Sequence, residues 1–364
     1  MPKQNSRSGE LDLFKLAFAF LIVVLHSSYL PGVKEAVFTG GSIGVEFFFL
    51  VSGYLMALSA DRLLATEEPL ALHVETGRFL KRKLATFYPY FIPTVLIAVV
   101  AKSLYLANGT TAGLGKNLGQ CIVDLLLLNW SGLGSDCFNA PTWYLSAMLL
   151  SMAVIYPLLL KYRKTFSRIV CPLVAVFLLG YLIQKYGQLR TPGAWDGLFK
   201  KGMIRAFGEI SLGVFCGEIA IELRKVSFTF FSRLLMTILE YGTVVGVILY
   251  SNQENPWGLD APTVILLAVV VIIAGNNLGL LSGLWNRLPF MSKLGKFSML
   301  LYLNHIYWVW IFGLMKLEME YSKMLGLYVL CACCSAIVCW VAVDGIRFLF
   351  GKNCLNARRM FIKE

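Results

Sequence analysis

Apolar stretches long enough to cross a bilayer recur along this chain, and they constrain its fold more than any other feature. A helix needs about 20 largely apolar residues to traverse the hydrocarbon, where every backbone polar group must be satisfied internally. Ten such stretches are read, at residues 13–30, 43–60, 84–101, 143–160, 169–185, 202–221, 234–250, 262–280, 297–315 and 325–346. A further apolar piece at residues 120–130, at about 11 residues, is too short to cross and is expected to be re-entrant or interfacial. The expected fold class is therefore all-α, a polytopic integral membrane protein with about ten transmembrane helices. With 57% hydrophobic and 15% charged residues, a soluble domain of this length could not cover its apolar surface. The first stretch lacks a small-residue cleavage site and is closely followed by another, so it is expected to stay in the mature chain.

Lys and Arg excess in short loops sets orientation. Basic residues gather at Lys3 and Arg7, at Arg62 and 78–83, at 161–168, at 224–233, at 287–296 and beyond Arg347, whereas the intervening loops at 29–42, 129–142 and 251–261 are nearly free of them. The loop at 185–201 is a mixed exception. Both termini are expected in the cytoplasm. The chain is expected to be one membrane domain, residues 1–364, with a cytoplasmic N-terminus (1–12), a bundle (13–346) and a cytoplasmic tail (347–364). The net charge of +12 follows from this topology, and with no basic domain outside the bundle, nucleic-acid binding is not expected. The run RFLKRK, holding Arg78, Lys81, Arg82 and Lys83, precedes a span and offers cations at a cytoplasmic pore mouth to a phosphorylated ligand.

The nine cysteines show no zinc spacing, and those at 331–339 lie among apolar neighbours as small hydrophobes. Cys121 and Cys137 fall on the expected outer side, where an oxidising compartment would allow a disulfide. No metal, no permanently bound cofactor and no nucleotide-binding fingerprint is expected.

Ionisable groups inside apolar spans are functional candidates by default. Lys15 and His26 stand 11 residues apart in the first span, which puts them on one helix face, roughly 16 Å apart along the axis. Glu46 lies one turn into the second span, at the depth of His26. A carboxylate beside an imidazole raises its basicity and fixes its tautomer, as a general base for a hydroxyl requires. The alternative is a His–Glu pair that only joins two helices. Arg205 and Glu209, four apart, can neutralise one another or line a pore. His305, near the centre of the ninth span, can line the pore or bridge helices.

These residues resemble the membrane-bound acyltransferase family 3, whose members O-acylate cell-surface carbohydrates. The first span of that family carries an arginine ten intervening residues before a histidine, a frame filled here by Lys15 and His26. The segment GVEFFFLVSGYL (44–55) is close to the family's GVDLFFVLSGFL, with Glu46 for aspartate. RFLKRKLATFYPY (78–90), Asn129, PTWYLSAMLL (141–150), RAFGEISLG (205–213) and YLNHIY (302–307) follow in order. Lysine at position 15 replaces a planar guanidinium fork, and Ala147 replaces an acidic residue of many members. No fused esterase-like domain is expected after the tenth span.

The resemblance implies an O-acyltransferase of the bacterial inner or plasma membrane. Cytoplasmic acetyl-CoA, or another acyl-CoA, would be donor substrate, its phosphates against Lys15, Arg78, Lys81, Arg82 and Lys83. A hydroxyl of a lipid-linked sugar or surface polysaccharide would be acceptor, positioned by Ser52, Asn129, Trp143, Ser146, Arg205, Glu209 and His305. His26, oriented by Glu46, would be the base, and a covalent acyl-histidine relay is the other route. Two other classes remain: a proton-coupled transporter using His26 and Glu46 as a relay, although no inverted repeat is found, and a structural membrane partner. Membrane lipids are the expected surroundings, and a homo-oligomer stays open.

Overall fold

The computed structural model describes residues 7–66, 71–133, 137–190, 192–252 and 259–361, those from 350 onward by backbone alone. Lys3 and Lys363 of the basic termini lie outside the described residues, as do positions 134–136, 191 and 253–258 of the loops expected on the opposite side. Helix α1 spans Gly9–His26 and begins where the Ser8 hydroxyl accepts from Leu11 N–H at 3.1 Å, with Glu10 and Asp12 in its first turn facing the positive helix end. Next come α2 (Gly44–Leu64), α3 (Leu72–Leu106), α4 (Leu114–Leu125), α5 (Trp143–Thr165) and α6 (Cys171–Tyr186). A two-residue hairpin, β1 (Trp195–Asp196) with β2 (Phe199–Lys200), precedes α7 (Lys201–Leu223). The chain continues through α8 (Phe230–Tyr250), α9 (Asp260–Gly275), α10 (Ser282–Arg287), α11 (Met291–Asn304), α12 (Tyr307–Leu314) and α13 (Tyr321–Phe361).

Among the described residues, six helical segments are long and apolar enough to cross a membrane, or seven when the bent pair α11 and α12 counts as one. The difference from ten lies in particular segments. The fourth and fifth expected spans fall within one helical run, Ala140–Tyr186, in which the backbone breaks at Arg163 (φ 20°, ψ −97°) and passes a π turn at Phe166–Val170. The sixth coincides with α7, whose ionisable residues keep it from qualifying by composition. The eighth coincides with α9, only 16 residues long. The ninth is not one straight helix: it bends by 43° between α11 and α12. The apolar piece at 120–130 comprises the last turn and a half of α4 and the turn that follows it, and α4 is not among the helices able to cross.

Helix α2 is the hub. It packs against α7 so closely that a Cβ on Gly53 would sit 2.1 Å from the Ile210 carbonyl oxygen, and one on Gly213 2.2 Å from that of Leu50. Small residues allow such approach, and in lipid the dispersion gained there holds helices together. Aromatic and aliphatic side chains of α2, α3, α5 and α7 fill one core, and those of α1, α2 and α9 a second. Apolar side chains also face outward, as Ile97 and Val100 on α3, Val176 and Phe177 on α6, and Val338 and Val341 on α13 do. That inside-and-out apolarity suits a lipid solvent.

Candidate functional site

Among the described residues, two neighbouring cavities share one side chain, Tyr302, in their walls. The larger, about 510 Å³, has His26, Lys102, Trp130, Trp143 and Arg205 in its wall. The smaller, about 240 Å³, has Lys15, Ser52, Lys83, Thr86 and Tyr144. Lys15 lies two turns into α1 and His26 closes it, so the two residues expected to line one pore instead line two cavities at different depths along that helix. Between them stand three rings: Tyr302 lies 6.1 Å from Phe48 and 6.0 Å from Tyr144, centroid to centroid. The Tyr302 hydroxyl is anchored on the Pro141 carbonyl.

His26 sits at the C-terminus of α1, partly exposed to the larger cavity. Its Nδ1 is 2.7 Å from the Ile22 carbonyl oxygen, a contact only a protonated nitrogen can make. The neutral ring therefore keeps its lone pair on Nε2. The same Nδ1 lies 3.3 Å from Nε2 of His305, whose own Nδ1 faces the Leu301 carbonyl oxygen at 3.3 Å. With the His305 proton on Nδ1, its Nε2 accepts from His26. His305 is fully buried, and it stands at the bend between α11 and α12, where the interrupted helix turns the ring toward α1.

Glu46 is not the partner of His26. Its Oε1 lies 2.8 Å from Nη2 of Arg205, whose Nε donates to Glu209 Oε1 at 2.9 Å. All three are buried. The expected imidazole–carboxylate pair is thus replaced by an imidazole–imidazole pair, because the close seam of α2 and α7 commits Glu46 to α7. The Arg205–Glu209 pairing read from their spacing is present. One guanidinium cannot balance two carboxylates, and Oε2 of both Glu46 and Glu209 has no hydrogen-bond partner among the described residues. This triad faces the larger cavity through Arg205 and sits 5.9 Å from the Trp143 ring.

The remaining candidates divide by location. Lys15 bonds Asp12 Oδ1 at 3.1 Å and lines the smaller cavity with Lys83. Arg78, Lys81 and Arg82 do not line that cavity; they are exposed on the first turns of α3, which starts at Leu72 rather than after the basic run, and Arg78 pairs with Glu75. Ser52 belongs to the smaller cavity, where it meets the Tyr144 hydroxyl at 2.9 Å, and so is displaced from the expected acceptor side. Asn129 and Ser146 line neither cavity. Asn129 bonds Asp124 Oδ1 at 3.3 Å and Cys137 Sγ at 2.7 Å, and Ser146 donates to the Leu127 carbonyl at 2.7 Å while accepting from Trp130 N–H at 3.2 Å. Both pin the loop that carries Trp130. Cys121 and Cys137 are free, buried thiols rather than a disulfide, Cys137 being engaged by Asn129. Asp124, outside the spans, has its carboxyl pushed above the ordinary range by burial, against the lowering effect of Phe138 N–H at 2.7 Å.

Sequence reasoning missed Lys102 and the double role of Tyr302. Lys102 is an ionisable residue at the end of an apolar span, the same signal that singled out Lys15 and His26. Tyr302 lay within a noted motif, but sharing two cavities leaves no mark in sequence. No group of metal-ligating side chains is present among the described residues.

The model of an acyltransferase domain matches residues 8–344. No curated protein and no solved structure matches the chain.

Proposed function

Since the chain belongs to acyltransferase family 3 and is a membrane acyltransferase, we propose that it moves an acyl group, most simply acetyl, from acyl-CoA to a hydroxyl of a lipid-linked or surface carbohydrate, with His26 as general base. The observation that carries this reading is the hydrogen bonding of His26. With Nδ1 held by Ile22 and His305, the basic Nε2 is the nitrogen free to act at the larger cavity.

The basic end of the bundle is taken as cytoplasmic by the positive-inside rule. Acyl-CoA then enters the smaller cavity, where Lys15 and Lys83 meet its phosphates while Arg78, Lys81 and Arg82 on the rim raise its local concentration. Its thioester reaches the aromatic septum at Tyr302. The acceptor occupies the larger cavity from the opposite side. His26 Nε2 takes the hydroxyl proton as the oxygen attacks the thioester carbonyl. The tetrahedral intermediate then collapses, the carbon–sulfur bond breaks, and the imidazolium returns the proton to the leaving thiolate. Donation from Nδ1 to His305 supports the imidazolium, as an orienting group does in a catalytic triad.

The proton-coupled transporter considered from the sequence gains nothing from the family match and is not carried further. The test uses inverted membrane vesicles containing the full chain, labelled acetyl-CoA and surface glycan from a strain lacking the gene. Label should move to the glycan with the wild-type chain and not with H26Q, while both are recovered as folded protein. Label transfer by H26Q at the wild-type rate would overturn the role of His26. Absence of transfer by the wild type to any glycan fraction would overturn the reaction.

A further inference from the structure

Charge is distributed one-sidedly in the wall of the larger cavity: besides His26 it carries Lys102, Arg190 and Arg205, and no aspartate or glutamate. Arg205 is neutralised from behind by Glu46 and Glu209. Lys102 differs. Its Nζ donates to the Cys137 carbonyl at 3.2 Å and lies 5.6 Å from the Trp310 ring and 5.7 Å from that of Phe138, and among the described residues no carboxylate stands within ion-pair distance of it. Asp124, the acid of the neighbouring loop, gives its oxygens to Phe138 N–H and Asn129 instead. An ammonium has three donors; one goes to the Cys137 carbonyl, Asp124 acts on this ammonium through its field and not by direct contact, and in the half-buried aromatic setting an anionic ligand would pair with it directly.

Resting on the acyl transfer proposed above, we infer that the acceptor is an anionic carbohydrate and that Lys102 recognises its carboxylate or phosphate. The indoles of Trp130 and Trp143, 5.3 Å apart and largely buried, contribute apolar surface to the same wall against which a sugar could pack. Charge at Lys102 and apolar contact at the tryptophans would fix the sugar while His26 addresses one hydroxyl. A neutral sugar would leave the ammonium without a directly paired anion among the described residues, so the cavity favours an acidic one.

The vesicle assay distinguishes the outcomes. The acceptor KM is measured for wild type, K102M and K102R, a quantity independent of the fraction of folded enzyme. K102M should raise the acceptor KM by about 10- to 100-fold, the worth of a hydrogen bond to a charged group, with the acetyl-CoA KM little changed, and K102R should retain most acceptor affinity. The glycan is also presented after chemical reduction of its carboxylates and, separately, after removal of its phosphates. Loss of acceptor activity in either arm supports the inference and names the anion. Full activity after both treatments, or an unchanged KM in K102M, would overturn it while leaving acyl transfer standing. Failure of the wild type to acylate any glycan would overturn both.

Discussion

Nε2 of His305 lies 3.3 Å from Nδ1 of His26, joining the bend between α11 and α12 to the end of α1. Two neutral imidazoles are arranged here in relay, each Nδ1 directed at a carbonyl of the preceding turn of its own helix. The tautomer of His26 is thereby fixed without a carboxylate.

If His26 is the base proposed above, removing it should cost most of the transfer. H26Q is expected to lower the acyl-transfer rate by about 10²- to 10⁴-fold, the usual contribution of general acid–base catalysis. H305Q should give a smaller fall together with a displaced pH–rate profile, because it alters the partner of Nδ1 and leaves Nε2 in place. Initial rates across a pH series in vesicles check both, and an unaltered profile in H305Q would remove His305 from the mechanism.

The buried triad makes an asymmetric demand on stability. R205M leaves Glu46 and Glu209 facing one another without their cation and should destabilise by about 3–5 kcal/mol, as breaking a buried pair does. E46Q keeps the Arg205–Glu209 bond and should cost less. Thermal unfolding in detergent reads the difference, and equal losses would contradict the charge argument.

Helix approach at the α2–α7 seam leaves no room for a side chain. G213A places a methyl 2.2 Å from the Leu50 carbonyl oxygen, which is backbone and cannot yield cheaply. A loss of about 1–3 kcal/mol is expected from overpacking. By contrast G246A, whose added Cβ meets nothing within 4 Å, should be neutral or slightly stabilising by helix propensity. The same melting experiment compares them.

Two lysines and three rim cations should separate kinetically. K15Q and K83Q, within the smaller cavity, are expected to raise the acyl-CoA KM by roughly tenfold each, in keeping with lost charge-assisted contacts. Exposed R78Q, K81Q and R82Q should act mainly through salt-sensitive association. Titrating acyl-CoA at low and moderate ionic strength checks this.

The segment around α4 should respond to pH through Asp124. Burial raises its folded carboxyl above the unfolded value, so the folded state binds the proton more tightly. Its stability contribution is therefore fully present below the ordinary carboxylate pKa of about 3.9 and is lost as pH rises through the folded value. Proteolytic protection of the loop should fall on that rise in the wild type and stay flat in D124N. Parallel behaviour of the two would exclude Asp124 as the cause.

Much of the architecture is written in the sequence, because lipid admits few solutions: long apolar runs must be helices, and an ionisable side chain inside one needs a partner or a cavity. That reasoning found Lys15, His26, Glu46, Arg205, Glu209 and His305 from single segments, and the common face of Lys15 and His26 followed from helical periodicity alone. What a single helix cannot encode is its neighbour. Glu46 lies on the expected helix, yet Gly53 and Gly213 bring α2 so near α7 that its carboxylate meets Arg205. His305 became the partner of His26 only because the ninth span breaks there, and Lys102 gained meaning when the loop that carries Cys137 met it. Sequence determined which charges enter the membrane; the packing of helices, set by side-chain volume at distant contacts, decided which of them meet.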